Sequence, residues 1–400
     1  MIQLSIIALC LCAFSTVSSD RIVARNIDYE IVVGSKIWLD LDVLNSSSIP
    51  DEDVTLFLST SKFIEYPHTI TIHNSSAHFE LTGIQPVSRE IIQVVNCSLP
   101  SLDNSTCPFD LTDAFFRVSV IRSKTLSWFI EVVGWIYFLA WSVSFYPQII
   151  LNFKRKSVVG LNFDFLALNL LGFGAYSAFN LLLFFNEHVK EIYHTENPHS
   201  PPPVLTNDVV FAVHAVIACS VTIIQCFIYE RENQKVSTKC RYVIIGFLSF
   251  GAICGLLTIF RAISILSFVI SLSYIKMAIT CLKYFPQAIY NYRRKSTVGW
   301  SIGNILLDFT GGTLDIFQMV LQALNFNDWG GFYGNPVKFG LGLVSIVFDI
   351  VFIIQHYILY RGSEVAHNDY SGVTNPEAPP QEPQEYGSLE QPGPIIVDDD

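Results

Sequence analysis

Along the first third of the chain, apolar and polar residues alternate in short stretches: Asp53-Val54-Thr55-Leu56-Phe57-Leu58, His68-Thr69-Ile70-Thr71-Ile72 and Glu90-Ile91-Ile92-Gln93-Val94-Val95. A period of two, rich in β-formers and broken by Ser, Asn, Pro and Gly, predicts strands. Residues 20–125 are therefore read as a β-sandwich-like domain, long enough to hold a modest core. After that the pattern changes. Apolar runs near twenty residues recur, the length a helix needs to cross about 30 Å of hydrocarbon. They fall near 127–150, 161–185, 207–229, 242–260, 263–290, 301–323 and 337–360, so residues 126–361 are expected to form an α-helical membrane domain of seven transmembrane helices. Residues 362–400 are Pro-, Glu- and Gly-rich with almost no apolar clustering, and disorder is expected there.

Charge supplies the orientation. Lys154, Arg155 and Lys156, then Arg231, Lys235, Lys239 and Arg241, then Arg293, Arg294 and Lys295 occupy alternate loops, while the opposite loops carry little positive charge. The positive-inside rule puts these loops and the C-terminus in the cytosol and the N-terminal domain in a lumen. Four of the five asparagines between Asp20 and Lys124 begin glycosylation sequons (Asn45, Asn74, Asn96 and Asn104), against none of the fifteen later ones, which points the same way. The opening stretch MIQLSIIALCLCAFSTVSS reads as a signal peptide, residues 1–19, with Val17 and Ser19 at the −3 and −1 places; an uncleaved anchor is the alternative. Of nine cysteines, only Cys97 and Cys107 sit in the exported segment, where an oxidising lumen allows a disulfide.

At 51% hydrophobic and 15% charged residues, the chain is too apolar for an ordinary soluble protein. The net charge of −11, with no basic stripe outside membrane-flanking clusters, argues against a nucleic-acid partner. No nucleophile–base pair and no Cys/His metal spacing stands out, so neither an enzyme nor a resident metal or cofactor is expected.

An internal repeat decides the architecture. Pro147-Gln148-Ile149-Ile150-Leu151-Asn152-Phe153-Lys154-Arg155-Lys156-Ser157-Val158-Val159-Gly160 aligns without a gap on Pro286-Gln287-Ala288-Ile289-Tyr290-Asn291-Tyr292-Arg293-Arg294-Lys295-Ser296-Thr297-Val298-Gly299, with nine of fourteen positions identical. The same offset pairs Asn169 with Asp308 and Gly172 with Gly311. Val221–Ile228 matches Val351–Ile358 around Gln225 and Gln355. Two three-helix units joined by a linker helix point the same way through the membrane, the parallel-repeat architecture of SWEET-type carriers, with the substrate site between the repeats.

Pro-Gln at the cytosolic ends of the first and fifth spans resembles the PQ-loop family. The segments Gly134-Trp135-Ile136-Tyr137-Phe138, Ser144-Phe145-Tyr146-Pro147-Gln148, Lys283-Tyr284-Phe285-Pro286-Gln287, Leu307-Asp308-Phe309-Thr310-Gly311-Gly312, Lys338-Phe339-Gly340-Leu341-Gly342 and Ser345-Ile346-Val347-Phe348-Asp349 resemble, more narrowly, the lysosomal cystine exporters of that family. The likeness spans Ser127 to Arg361; the N-terminal domain resembles the family only in being glycosylated and β-like, and a Cys97–Cys107 pair is not implied by it. The resemblance implies proton-coupled export of L-cystine from the lysosome lumen to the cytosol by alternating access, with Asn169, Lys276, Lys283, Tyr284, Asn304, Asp308 and Lys338 lining the substrate site. It also implies a lysosome-membrane location and a link to nutrient-sensing complexes there.

The residues bear their own reading. An ionised carboxylate at bilayer depth costs about 2.5–3.5 kcal/mol even on the lenient scale, so it persists mainly where it faces a polar cavity. Asp308, beside Thr310, Gly311 and Gly312, is the first candidate to take up and release protons; a structural pair with a neighbouring Lys is the alternative. Each pH unit of gradient supplies about 1.4 kcal/mol per proton carried. Asp349 is either a second protonatable group or a bundle-stabilising one. Asp208, at the lumenal start of the third span, is either an N-cap or, as the resemblance implies, part of proton coupling. Lys276 and Lys283, seven residues apart, share a helix face, and a cavity offering Lys and Asp suits a substrate with two carboxylates and two ammonium groups. Lys283 has snorkelling as its alternative. Pro147 and Pro286, each followed by a glutamine, act either as hinges or as ordinary membrane-helix kinks. Tyr386-Gly387-Ser388-Leu389 fits a tyrosine-based sorting signal read by clathrin adaptor complexes. A PQ-loop carrier for another amino acid, or a seven-helix receptor, fits the same span count. The intramembrane Asp and Lys set disfavours sugars, and the Pro-Gln repeat and short cytosolic loops disfavour a receptor.

Overall fold

The computed structural model describes residues 21–44, 53–73, 75–99, 107–200, 204–329 and 336–361. The expected signal segment, the acceptors Asn45, Asn74 and Asn104, and the tail with Tyr386 and Leu389 lie outside the described residues.

The three alternating segments fall on β4, β6 and β8 of the nine strands among the described residues: β1 (Arg21–Ala24), β2 (Asp28–Val32), β3 (Lys36–Leu44), β4 (Val54–Leu58), β5 (Ile64–Glu65), β6 (Thr69–Ile72), β7 (Ser76–Gly83), β8 (Val87–Ser98) and β9 (Phe115–Ile121). One sheet runs β1-β3-β7-β5 and the other β2-β9-β8-β4-β6, antiparallel except where β2 lies parallel to β9. The period of two does the sorting: on β3, Leu39, Leu41 and Val43 face the core while Trp38 stays exposed. They meet Leu56, Phe79, Leu81, Ile92 and Phe116 between the sheets. Asn96 is exposed on β8, and its neighbour Cys97 is disulfide-bonded to Cys107, ten residues on. Closing a loop of that size contributes roughly 2–3 kcal/mol by restricting the unfolded chain. Replacing both cysteines with alanine in the full chain is therefore expected to lower the unfolding temperature of the sandwich and speed its proteolysis. Unchanged thermal unfolding and proteolysis would contradict this.

The membrane domain comprises α1 (Lys124–Val143), α2 (Phe145–Arg155), α3 (Phe163–Phe185), α4 (Glu187–Glu196), α5 (Thr206–Ile228), α6 (Thr238–Ile259), α7 (Ile265–Arg294), α8 (Ile302–Phe326) and α9 (Pro336–Ile354), which ends in a π-helical turn, Gln355–Leu359. Among the described residues six spans qualify by length and apolar composition, α1 and α2 counting as one. Helix α8 is the seventh long helix. Its 25 residues suffice in length, but Asp308, Thr310, Thr313, Asp315 and Gln318 dilute its apolar character.

Two details refine the sequence reading. The first span holds as one, Lys124–Arg155, with the interruption expected of Pro147 at Ser144, because Pro147 has no N–H to offer the Val143 carbonyl one turn back. Pro286 sits inside an unbroken α7, so the two prolines are not equivalent. The connection before the third span holds a short helix, α4, unanticipated because its stretch is polar; Asn186 caps it by accepting from Val189 N at 3.1 Å, and Val189 is its buried anchor.

The repeats interlock. Helix α1 packs on α8 and α7 packs on α3, so the first helix of each unit lies against the second helix of the other. Gly172 and Gly311 sit at those crossings: a Cβ would come within 2.9 Å of Ile279 and 2.5 Å of Trp141, respectively. The linker α6 packs on α7 and α3. The sandwich and the helices share contacts: β9 passes through Arg122 to Ser123, the α1 N-cap, where Arg122 N donates to Asn325 O (3.1 Å) and Ser123 N to Asn325 Oδ1 (3.0 Å).

Candidate functional site

Two structures between the repeats define the site: a crossed network at the Pro-Gln end, and a chamber between that network and the sandwich end.

Gln148 and Gln287 are 5% and 0% exposed. Gln148 Nε2 donates to Asn152 Oδ1 one turn on (2.9 Å) and to Gly299 O of the other repeat (3.0 Å), while its Oε1 accepts from Ser301 N (2.7 Å). Gln287 mirrors this, donating to Asn291 Oδ1 (2.8 Å) and Gly160 O (3.1 Å) and accepting from Asn162 N (2.8 Å). Each asparagine then reaches the third helix of its own repeat: Asn152 Nδ2 donates to Gln225 Oε1 (2.8 Å), and Asn291 Nδ2 to Gln355 Oε1 (3.1 Å). The two loops touch at Gly160 (φ +110°) and Gly299 (φ +91°), where a Cβ would meet the facing carbonyls of Val298 and Val159 at 2.1 and 1.9 Å. Only glycine fits that approach, and both backbones are in the region that favours it. Above the network, Phe165, Tyr284, Trp300, Ile305 and Phe352 pack into a dry layer, with Phe165 edge-on to Trp300 at 5.0 Å.

The chamber, about 580 Å³, begins on that layer and extends to Asn180, Val204 and Asp208 near the sandwich end. Lys283, 7% exposed, donates from Nζ to Asn169 Oδ1 (3.0 Å). Lys276 Nζ lies 4.0 Å from the centroid of Phe173, a cation–π contact. Among the described residues neither lysine forms an ion pair within 4 Å, so aromatic faces and an amide hold charges that a ligand could meet. Nor does Asp308 pair with a lysine among the described residues: its Oδ2 accepts from Tyr284 OH (3.3 Å) and Ser345 Oγ (3.4 Å). Asn304 lines the same space. Lys338 is on the first turn of α9, and its side chain lies outside the described residues.

The remaining acidic candidates separate. Asp208 lines the chamber but is not the N-cap; it is the third residue of α5, and its Oδ2 accepts from Leu205 N (2.9 Å), holding the first turn from within. Asp349 is 0% exposed on α9, does not line the chamber, and has both carboxyl oxygens without a hydrogen-bond partner among the described residues. Asp315, which sequence reasoning missed, is 3% exposed and lines the chamber. Its signal was available: seven residues beyond Asp308 on one helix is two turns, hence the same face. Two lysines and three aspartates thus border one cavity, a mixed-charge lining suited to a zwitterion rather than to a simple anion or cation.

The PQ loop repeat family matches residues 129–189 and 262–328. A cystinosin homolog of Caenorhabditis elegans is 55% identical over 96% of this chain and 96% of its own, and cystinosin of Drosophila melanogaster is 43% identical over 91% and 90%. A cystine transporter of Saccharomyces cerevisiae is 27% identical over 59% of this chain and 96% of its own. With the repeat, the interlocked helices and full-length relatives in agreement, this chain belongs to the cystinosin family of PQ-loop repeat proteins.

Proposed function

We propose that the chain exports L-cystine from the lysosome lumen to the cytosol together with protons, by alternating access through the chamber between the repeats. The observation that carries this reading is a cavity bordered by lysines and aspartates, closed at the Pro-Gln end by side chains that each cross to the opposite repeat. Cystine, with an ammonium and a carboxylate at each end of a disulfide, matches such a lining. Lys283 and Lys276 would meet carboxylates, and Asp308 with Asp315 would meet ammonium groups. Asn169, Asn304, Tyr284 and Lys338 complete the proposed substrate set. Asp308 carries the coupling proton, since it is held by hydroxyl donors that tolerate either charge state rather than fixed by a cation. Asp349 and Asp208 act as secondary proton sites. The state described here is closed on the Pro-Gln side, which on the charge pattern of the loops is cytosolic.

The same reading places the sandwich in the lumen with glycans on Asn45, Asn74, Asn96 and Asn104, and the tail in the cytosol, where Tyr386 and Leu389 engage clathrin adaptors. Nutrient-sensing complexes on the lysosome surface are further proposed partners.

The test is uptake of radiolabelled cystine into vesicles with the lumenal face turned to an acidic bath, with arginine, lysine and glucose as competitors. Acid-stimulated cystine uptake that none of the three reduces is the expected result. Competition by arginine or lysine at cystine-like concentrations would assign the chamber to cationic amino acids instead.

A further inference from the structure

A second cavity, about 870 Å³ and larger than the chamber, opens sideways between α3, α5 and α6 and takes no part in the transport path. Its walls are apolar over most of their length, from Phe163 to Ala175 on α3. Twelve residues of helix rise about 18 Å, close to one leaflet of a hydrocarbon core about 30 Å thick. Far along the groove, a Cβ on Gly174 would meet nothing within 4 Å, so the space there is open.

The rim at the Pro-Gln end is of another character. Arg231, Lys235 and Arg241 border it, all exposed, against the one acidic lining residue, Glu232. Between them Gln234 lines the cavity with its amide nitrogen buried beside the Tyr290 side chain. Three cations and an amide above a greasy trough one leaflet deep call for a ligand with an anionic, oxygen-rich head and a hydrocarbon tail. Most of the apolar stretch of linker α6 is exposed, with Cys240 and Cys254 its buried residues.

We propose that this groove binds an anionic phospholipid of the leaflet on the Pro-Gln side, its phosphate group held by Arg231, Lys235, Arg241 and the Gln234 amide and one acyl chain lying along α3. Basic pockets between membrane helices on the cytosolic side recognise phosphorylated headgroups by this chemistry. The position, between the linker helix and the second and third helices of the first repeat, ties the lipid to the linker's side of the molecule.

The full-length protein, purified in mild detergent, is to be incubated with phosphatidylinositol 4-phosphate or phosphatidylcholine and examined by native mass spectrometry. Phosphatidylinositol 4-phosphate is expected to be retained at least about tenfold better, since each basic residue at an anionic surface is worth roughly a fivefold factor. Arg231→Gln with Lys235→Gln and Arg241→Gln should erase that preference. Gly174→Phe, which fills the trough and leaves the charges intact, should reduce retention of the long-chain lipid. Equal retention of both lipids, an unaltered preference in the triple variant, full retention in Gly174→Phe, or equally tight binding of inositol phosphate lacking acyl chains would each overturn the assignment.

Discussion

Asp308→Asn is expected to abolish acid-driven cystine uptake, reducing it to the level of vesicles without the protein. The substitution changes almost nothing but the proton. Asparagine keeps a carbonyl oxygen for the Tyr284 and Ser345 hydroxyls that now donate to Asp308 Oδ2, so the local hydrogen bonds and packing survive. What is lost is the ability to change charge between an acidic and a neutral compartment, and with it about 1.4 kcal/mol of driving force per proton and pH unit. Cystine should still stabilise the variant against heat, though less than the native chain, which separates a coupling defect from a folding defect. Uptake that continued to rise with external acidity in this variant would remove Asp308 from the proton path.

Replacing Gln148 and Gln287 together with leucine is expected to open the Pro-Gln end. Each leucine leaves two backbone groups of the opposite repeat without partners: Gly299 O and Ser301 N for Gln148, Gly160 O and Asn162 N for Gln287. Even at ~1 kcal/mol per orphaned buried group, four groups amount to about 4 kcal/mol against the closed arrangement, close to a thousandfold in the equilibrium. In the opposite arrangement water can satisfy those groups, so the penalty falls on one state. A cysteine placed at Ile305, 2% exposed in the packed layer above the network and on the chamber wall, reports the change: its labelling by a charged maleimide from the Pro-Gln side should accelerate strongly, as read by mass spectrometry. An equal labelling rate with the glutamines intact would show that the crossed glutamines do not hold that end shut.

The repeat was legible because its signal is dense: Pro, Gln, Asn, Ser and Gly at identical spacing in two places. What they do was not. That Gln148 bonds to the loop of the other repeat, rather than to its own, depends on the way α1 lies on α8 and α7 on α3, which no one-dimensional pattern contains. The strands followed from alternation, and even the exposed Trp38 keeps its place in that period. The prolines were legible as possible breaks, but not that only Pro147 interrupts its helix while Pro286 sits in an unbroken one. Helix α8 shows the converse. Its chamber-facing polar residues weaken the hydropathy that identifies a span, so the helix that carries both Asp308 and Asp315 is the least conspicuous by composition. Asp315 lacks the amide repeat partner that singles out Asp308, although a two-turn spacing sets both carboxylates on one wall.

Strand β9 enters α1 with no spacer, and the residues between them are bonded to the far end of α8, with Arg122 Nη2 also donating to Asn327 Oδ1 at 2.6 Å. The sandwich is thereby bolted to one helix from each half. It cannot swivel like a bead on a string, and must travel as a lever arm with that helix pair whenever the halves rearrange. An antibody fragment wedged between this arm and the membrane would therefore act as a brake on turnover without approaching the chamber.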